Sequence, residues 1–180
     1  MDYLKAQKVI HWLMAVAIIL DLIIAQKFGG EMELWDRLES RADHATMNLI
    51  VTFLFILRIV LRYRYGAPSF PSTMPKWQVL SAKAGHYSFY LLMGTLMLTG
   101  IISAIFASHP IMVFGSYDLA FANHHNDLFL GVRSIHKFCT NAIIIIIFVH
   151  VSAAAYHHFI AKDMTTLNMA KFWTTKSSRS

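Results

Sequence analysis

Four histidines lie along one apolar stretch, SIHKFCTNAIIIIIFVHVSAAAYHHF, residues 134–159: His136, His150, His157 and His158. Imidazole ligates transition metals and, because it titrates near neutrality, carries protons. It is costly to place in hydrocarbon, where an ionisable side chain usually marks a site. His136 and His150 are fourteen residues apart. On a helix they fall within about 40° of each other on one face and about 21 Å apart along the axis. A single metal ion needs its ligands close together, so these two cannot share one ion but can serve separate sites stacked along one helix.

Each site then needs a partner from another helix at matching depth. His44 opens the second apolar run at the end where His136 opens the fourth. His11 lies sixteen residues before Lys27, and His150 lies seventeen beyond Arg133. Those spacings are drops of about 24 and 26 Å from the surface that the two cations mark. His44 with His136, and His11 with His150, therefore share two levels if their helices are neighbours. Imidazoles from facing helices are how a bundle holds a bis-histidine haem. A lone histidine on an apolar helix is more often a hydrogen-bonded packing residue, but four matched in depth are harder to explain that way.

The elements that must position these rings follow from composition. The chain has 180 residues, 56% hydrophobic and 14% charged, with a mean hydropathy of +0.48. That balance points to an integral membrane protein. Apolar runs near 9–26, 44–63, 84–107 and 133–160 are long enough, or nearly so, to cross about 30 Å of hydrocarbon as helices. The expected fold is all-α, one membrane-embedded four-helix bundle over residues 1–180. The first run reads as a span rather than a cleavable signal peptide, because it continues into FGGE without a small-residue cleavage pattern. Cys139 is the single cysteine, which rules out an internal disulfide or a cysteine metal site.

The net charge of +6 is best read by its distribution between loops, and no nucleic-acid partner is expected. Lys5, Lys8, Arg58, Arg62, Arg64, Lys76, Lys83, Lys162, Lys171, Lys176 and Arg179 fall on one side, eleven of the sixteen basic residues. The other side has Lys27, Arg37, Arg41, Arg133 and Lys137 against seven acids, Glu31, Glu33, Asp36, Glu39, Asp43, Asp118 and Asp127. Positive residues stay inside, so both termini are expected in the cytoplasm, with the acidic side in the periplasm of a bacterium. The proline-rich APSFPSTMP at 67–75 reads as an extended inner loop. Residues 108–132 form a long outer loop suited to lying over the bundle as a lid.

HW at 11–12, the histidine opening span two, GHYSFYLL at 85–92, the paired histidines of span four and the ending AAAYHHFIAKDMTTLNM together resemble the bacterial cytochrome b561 family. Its four-helix core is shared more loosely with the cytochrome b subunits of formate dehydrogenase and nickel-iron hydrogenase. The resemblance covers roughly residues 4–170. It implies two haems b, the inner one held by His11 and His150 and the outer one by His44 and His136. It also implies ubiquinone as acceptor near the cytoplasmic face, and an oxidoreductase in the bacterial inner membrane. Electrons would come from a periplasmic donor, either superoxide or a small redox protein. His157 lies seven residues past His150, about 10 Å deeper on the same face, where it can hydrogen-bond a quinone and pass it a proton. The alternative for His157 and His158 is an interfacial pair that anchors the helix end.

Several other residues invite a role. Arg58 is a half-immersed cation that calls for an anion, for which a haem propionate is the natural candidate. His86 would bond an inner propionate or stand in as a ligand, while Arg62 and Arg64 read as inner-surface anchors. Gly94 and Gly100 allow a macrocycle or a helix to come close. Gly29 and Gly30 end span one, and Trp12, Trp77 and Trp173 fit interfacial belts. His109, His124 and His125 read as solvated loop residues. Asp21, ten residues above His11 in an apolar span, should face the bundle interior or a water-filled pocket, either protonated or beside the outer haem where it tunes the potential.

Two rival readings share the sequence. The chain could be a cytochrome b subunit that exchanges electrons with a peripheral dehydrogenase or a basic periplasmic cytochrome, which the acidic outer side would suit. That same acidity works against gathering a scarce anion. A haem-free, histidine-lined proton or metal transporter is the more remote alternative. Its usual marks, a pair of repeats and broken helices, are not seen in these four short spans.

Overall fold

The computed structural model describes residues 3–27 and 31–171. Gly29, Gly30, Trp173, Lys176 and Arg179 lie outside the described residues. Four long helices carry the chain: α1 (Lys5–Gln26), α2 (Leu34–Tyr65), α3 (Lys76–Ile105) and α4 (Asn126–Tyr156), the last running on into a single π turn at His157–Ala161. A short α5 (Met164–Ala170) follows. Each of the four long helices is apolar and long enough to cross a membrane. In hydrocarbon a backbone has no partner but itself, so such runs must be helical.

The ends have local causes. The Leu4 N–H donates to Gln7 Oε1 at 3.1 Å and closes the start of α1. Gly66 ends α2 with φ 67°, a sign of φ that glycine adopts without a steric cost. Pro75 precedes α3, a place where the missing N–H is harmless.

The helices begin earlier than hydropathy places the spans. Leu34 and Asn126 start α2 and α4, so His44 and His136 each sit ten residues inside a helix rather than at its opening. The 32 residues of α2 extend about 48 Å, well beyond the hydrocarbon. Its charged first turns (LWDRLESRAD) are rich in strong helix formers and stay helical in water, where hydropathy is silent. The same extension shortens the outer loop expected at 108–132, since α4 already starts at Asn126.

The bundle is two antiparallel helical hairpins, α1 with α2 and α3 with α4. Gln7 Nε2 near the start of α1 donates to Gly66 O at 3.0 Å and Leu61 O at 3.4 Å, at the end of α2. Met14, Ala17, Val51, Phe55, Met93, Met97 and Ile143 form the central core. The outward faces are apolar: Phe53, Leu91 and Phe148 are 67%, 71% and 73% exposed, as side chains that meet lipid must be.

At the outer end, β1 (Met112–Val113) and β2 (Tyr117–Asp118) make a small antiparallel hairpin, with Met112 opposite Asp118 and Val113 opposite Tyr117. Its turn takes Phe114 and Gly115 to φ 51° and 67°, unusual for a phenylalanine. The Phe114 N–H donates to Thr46 Oγ1 at 3.1 Å. Asp118 Oδ1 accepts from the Ile111 and Ala120 N–H groups at 2.9 and 2.8 Å. The loop is thus pinned to α2 two residues from His44. At the opposite end α5 folds back on the bundle. Trp12 Nε1 donates to Met169 O at 3.3 Å, Lys8 Nζ to Lys171 O at 2.6 Å and Thr166 Oγ1 to Ala154 O at 2.8 Å.

Candidate functional site

Helix α4 presents His136 and His150 at two levels, and a different helix answers each. The rings of His44 and His136 have centres 6.2 Å apart and planes at 88°. Those of His11 and His150 are 6.3 Å apart at 74°. A histidine nitrogen sits about 2 Å from a bound transition metal, with its ring centre about 1.2 Å behind it, so two imidazoles flanking one ion have centres roughly 6.4 Å apart. Both pairs stand near that spacing. Among the described residues no group of three or more His, Cys, Asp or Glu is placed to hold a metal ion. Two nitrogens per site suit an ion whose remaining positions belong to a planar macrocycle, as in a haem with two axial histidines.

The outer pair has a built surround. His136 Nδ1 lies 2.9 Å from Thr99 Oγ1, whose own hydrogen goes to Thr95 O at 2.7 Å. The hydroxyl therefore accepts the Nδ1–H, which leaves Nε2 as the lone-pair nitrogen available to a metal. Beside Thr99, a Cβ added at Gly100 would meet Asn48 Nδ2 at 3.1 Å and His136 Cε1 at 3.5 Å, whereas one at Gly94 would meet nothing within 4 Å. Close approach is thus needed at Gly100 alone of the two. On the other side of the pair, Asp21 Oδ1 lies 2.8 Å from His44 Nδ1. Thr99→Val removes the acceptor without changing side-chain volume. It is expected to loosen a cofactor held by His136 by about 10- to 100-fold, measured as the rate at which purified protein loses haem to an acceptor globin.

The inner level holds three imidazoles. His86 on α3 stands 6.3 Å from His150 at 73°, the same spacing as His11. It donates Nδ1–H to Ala82 O at 2.8 Å. Phe89 packs edge-on against His150 at 5.3 Å. The charge of Arg58 acts on His11, His86 and His150 alike. Arg58, Arg62, His86, Tyr90, Tyr3 and Met169 line a cleft at this end. Arg62, expected as a surface anchor, thus stands with Arg58 where two guanidinium groups suit carboxylates.

Deeper still, His157 Nδ1 lies 2.6 Å from Asp163 Oδ2. The π turn and Lys162, at φ 50°, bend the chain so that Asp163 faces back. Asp163 also caps α5, accepting the Thr165 N–H at 2.8 Å. Partial burial pushes the Asp163 carboxyl up, but Thr165 and His157 outweigh it and hold the group below the usual carboxylate range. His158 is exposed, edge-on to Phe159 at 4.7 Å, so the two neighbouring histidines have different surroundings.

Asp163 and Thr99 were missed from the sequence, and the partner of Asp21 was unreadable there. Polar residues inside apolar runs were the signal for Thr99 and Asp21, but each partner lies on another helix. Asp163 is six residues from His157, a spacing that faces no helical neighbour without the π turn. Beside the outer pair, the charges of Arg133 and Arg37 act on Arg41, and Arg133 acts on His136. A small cationic patch therefore borders the outer pair on an otherwise acidic side.

Residues 3–171 match the family model for prokaryotic cytochrome b561. Cytochrome b561 homolog 1 of Escherichia coli (strain K12) is 28% identical over 129 residues, covering 72% of this chain and 73% of that protein. Cytochrome b561 homolog 2 of the same organism is 28% identical over 166 residues, 88% of this chain and 86% of its own. The probable superoxide oxidase CybB of Yersinia pestis is 25% identical over 163 residues, 89% and 90% of the two chains.

Proposed function

This chain belongs to the prokaryotic cytochrome b561 family, a bacterial multi-pass membrane cytochrome b of electron transfer, and we propose that it carries electrons from a donor at its outer face to ubiquinone at its inner face. The observation that carries this reading is the pair of ring separations, 6.2 and 6.3 Å, one above the other along α4. His44 with His136 are the outer ligands and His11 with His150 the inner ones. Bound between them, two haems b would supply one-electron redox chemistry. The inner end, where the basic loops gather, faces the cytoplasm, so both termini lie there and the protein sits in the inner membrane.

The chain's own residues do the rest. Thr99 holds His136 in one tautomer. Met14, Val51, Phe55, Met97 and Ile143 keep the layer between the two levels apolar. Arg58 and Arg62 take up carboxylates at the inner cleft, with His86 beside them. His157, oriented through Nδ1 by Asp163, carries its second proton on Nε2 and donates it to a quinone oxygen. His158 anchors the helix end at the interface.

Superoxide is the donor this reading prefers, in keeping with the probable superoxide oxidase among its relatives and with the Arg37, Arg41 and Arg133 patch, which gives an anion a local target. Two superoxide anions each lose one electron and leave as dioxygen. One quinone takes both electrons and two cytoplasmic protons and becomes a quinol. The test is quinone reduction in liposomes with superoxide as sole donor. Quinol formation above a protein-free control is expected, and it should fall as salt screens the patch. No excess over the control would rule superoxide out.

A second reading has one observation in its favour. Glu31, Glu33, Asp36 and Glu39 are exposed at the start of α2 around Trp35, itself 80% exposed. An acidic rim around an aromatic suits docking of a basic redox protein. Turnover that appears only when a basic cytochrome is added would favour it.

A further inference from the structure

The outer and inner histidine pairs differ in the charged group that stands closest to a ligand. At the outer pair the ligands are backed differently: His136 Nδ1 meets the neutral hydroxyl of Thr99 at 2.9 Å, while His44 Nδ1 meets the carboxylate oxygen of Asp21 at 2.8 Å. Asp21 comes from α1, a third helix, and its charge reaches His136 as well. The side chains of His44 and Asp21 are only 20% and 16% exposed, so solvent screens their interaction weakly. Arg133 acts on His136 more strongly than Asp21 does, so the influence of Asp21 on the outer pair is carried by its close contact with His44. At the inner pair no carboxylate acts on these rings among the described residues, and the half-buried cation Arg58 acts on His11, His86 and His150.

From this we infer that Asp21 is a positioning residue that acts through His44 to make the outer haem the lower-potential one of the two, so that electrons run downhill from the outer face to the inner. A carboxylate within hydrogen-bonding reach of a ligating histidine's other nitrogen fixes the ring and raises its basicity. A more basic axial ligand stabilises the oxidised iron, and a buried carboxylate in close charge contact with the ligand's other nitrogen acts in that direction. A carboxylate in an apolar span is expensive, and this contact gives Asp21 a use that packing alone does not. The inference rests on the two-haem reading above. It adds the order of the two potentials that favours that flow and the residue that sets it.

The experiment is a potentiometric titration of the α band in the purified full-length protein, with haem content measured alongside. The wild type should show two separable midpoints. Asp21→Asn, which keeps size and an acceptor oxygen but removes the charge, should retain two haems and raise the lower midpoint while leaving the upper one in place. Asp21→Glu should return that midpoint toward the wild-type value, a rescue that a purely structural role does not provide. Unchanged midpoints with two haems bound overturn the inference and leave the two-haem reading intact. A protein without haem overturns that reading and the inference with it. If Asp21→Asn cannot be purified with both haems, His44→Ala decides the question. Survival of only the higher midpoint supports the inference, and survival of only the lower one overturns it.

Discussion

His136→Ala is expected to yield a protein that keeps one of its two haems and no longer passes electrons across the membrane. The expectation follows from the geometry of α4. His136 and His150 stand on one helix, about 21 Å apart by helical rise, and each faces a ring from a different helix, His44 or His11. Of the described residues beside it, Thr99 offers a hydroxyl and Asn48 an amide, and neither replaces an imidazole as ligand. Haem content should fall to half, and quinone reduction driven from outside should fall to the protein-free background. His44→Ala should behave alike. His150→Ala should remove the inner haem and spare the outer one, as should His11→Ala unless His86, at the same 6.3 Å from His150, takes over its place. Haem quantitation on the four variants separates these outcomes. Loss of both haems from every variant would mean that the two levels are not independent sites.

The second large effect is expected at the inner end. His157→Ala should keep both haems, because the ring lies beyond His150 and is engaged with Asp163. Quinol formation should fall by about 10²- to 10⁴-fold, the usual contribution of a positioned proton donor. Asp163→Asn should give a smaller loss, since the ring remains but is held less firmly. The pH dependence has a definite sign. Asp163 is held below its ordinary range, so its contribution is present at neutral pH and is lost as pH falls through the depressed folded value. Acidification should therefore loosen the α5 cap and slow quinol formation in the wild type. Asp163→Asn should lack that acid limb. Full turnover by His157→Ala, with haem content unchanged, would remove this residue from the proton path.

Much of the architecture was legible from residue types. Four apolar runs became four helices because a chain in hydrocarbon must satisfy its backbone internally. Depth could also be read, since helical rise converts sequence spacing into height. His44 with His136 and His11 with His150 were matched on that basis, and the structure sets their rings 6.2 and 6.3 Å apart. The helix starts were less legible. The charged turns from Leu34 to Asp43 carry no hydropathy signal, yet they continue α2. The small outer hairpin and α5 were not foreseen, because each is held by scattered long-range hydrogen bonds such as Phe114 to Thr46 and Trp12 to Met169.

What the sequence by itself determined is the height of each polar group in the membrane, because rise along a helix depends only on residue count. What only the tertiary structure decided is which groups meet at a given height, because the rotation of one helix against another is set by packing between them. Asp21 illustrates the division: its level was known from its distance to His11, but its contact with His44 Nδ1 at 2.8 Å exists only once α1 and α2 are docked. His86 makes the same point from α3, standing as near to His150 as His11 does, an adjacency that no spacing in the chain encodes.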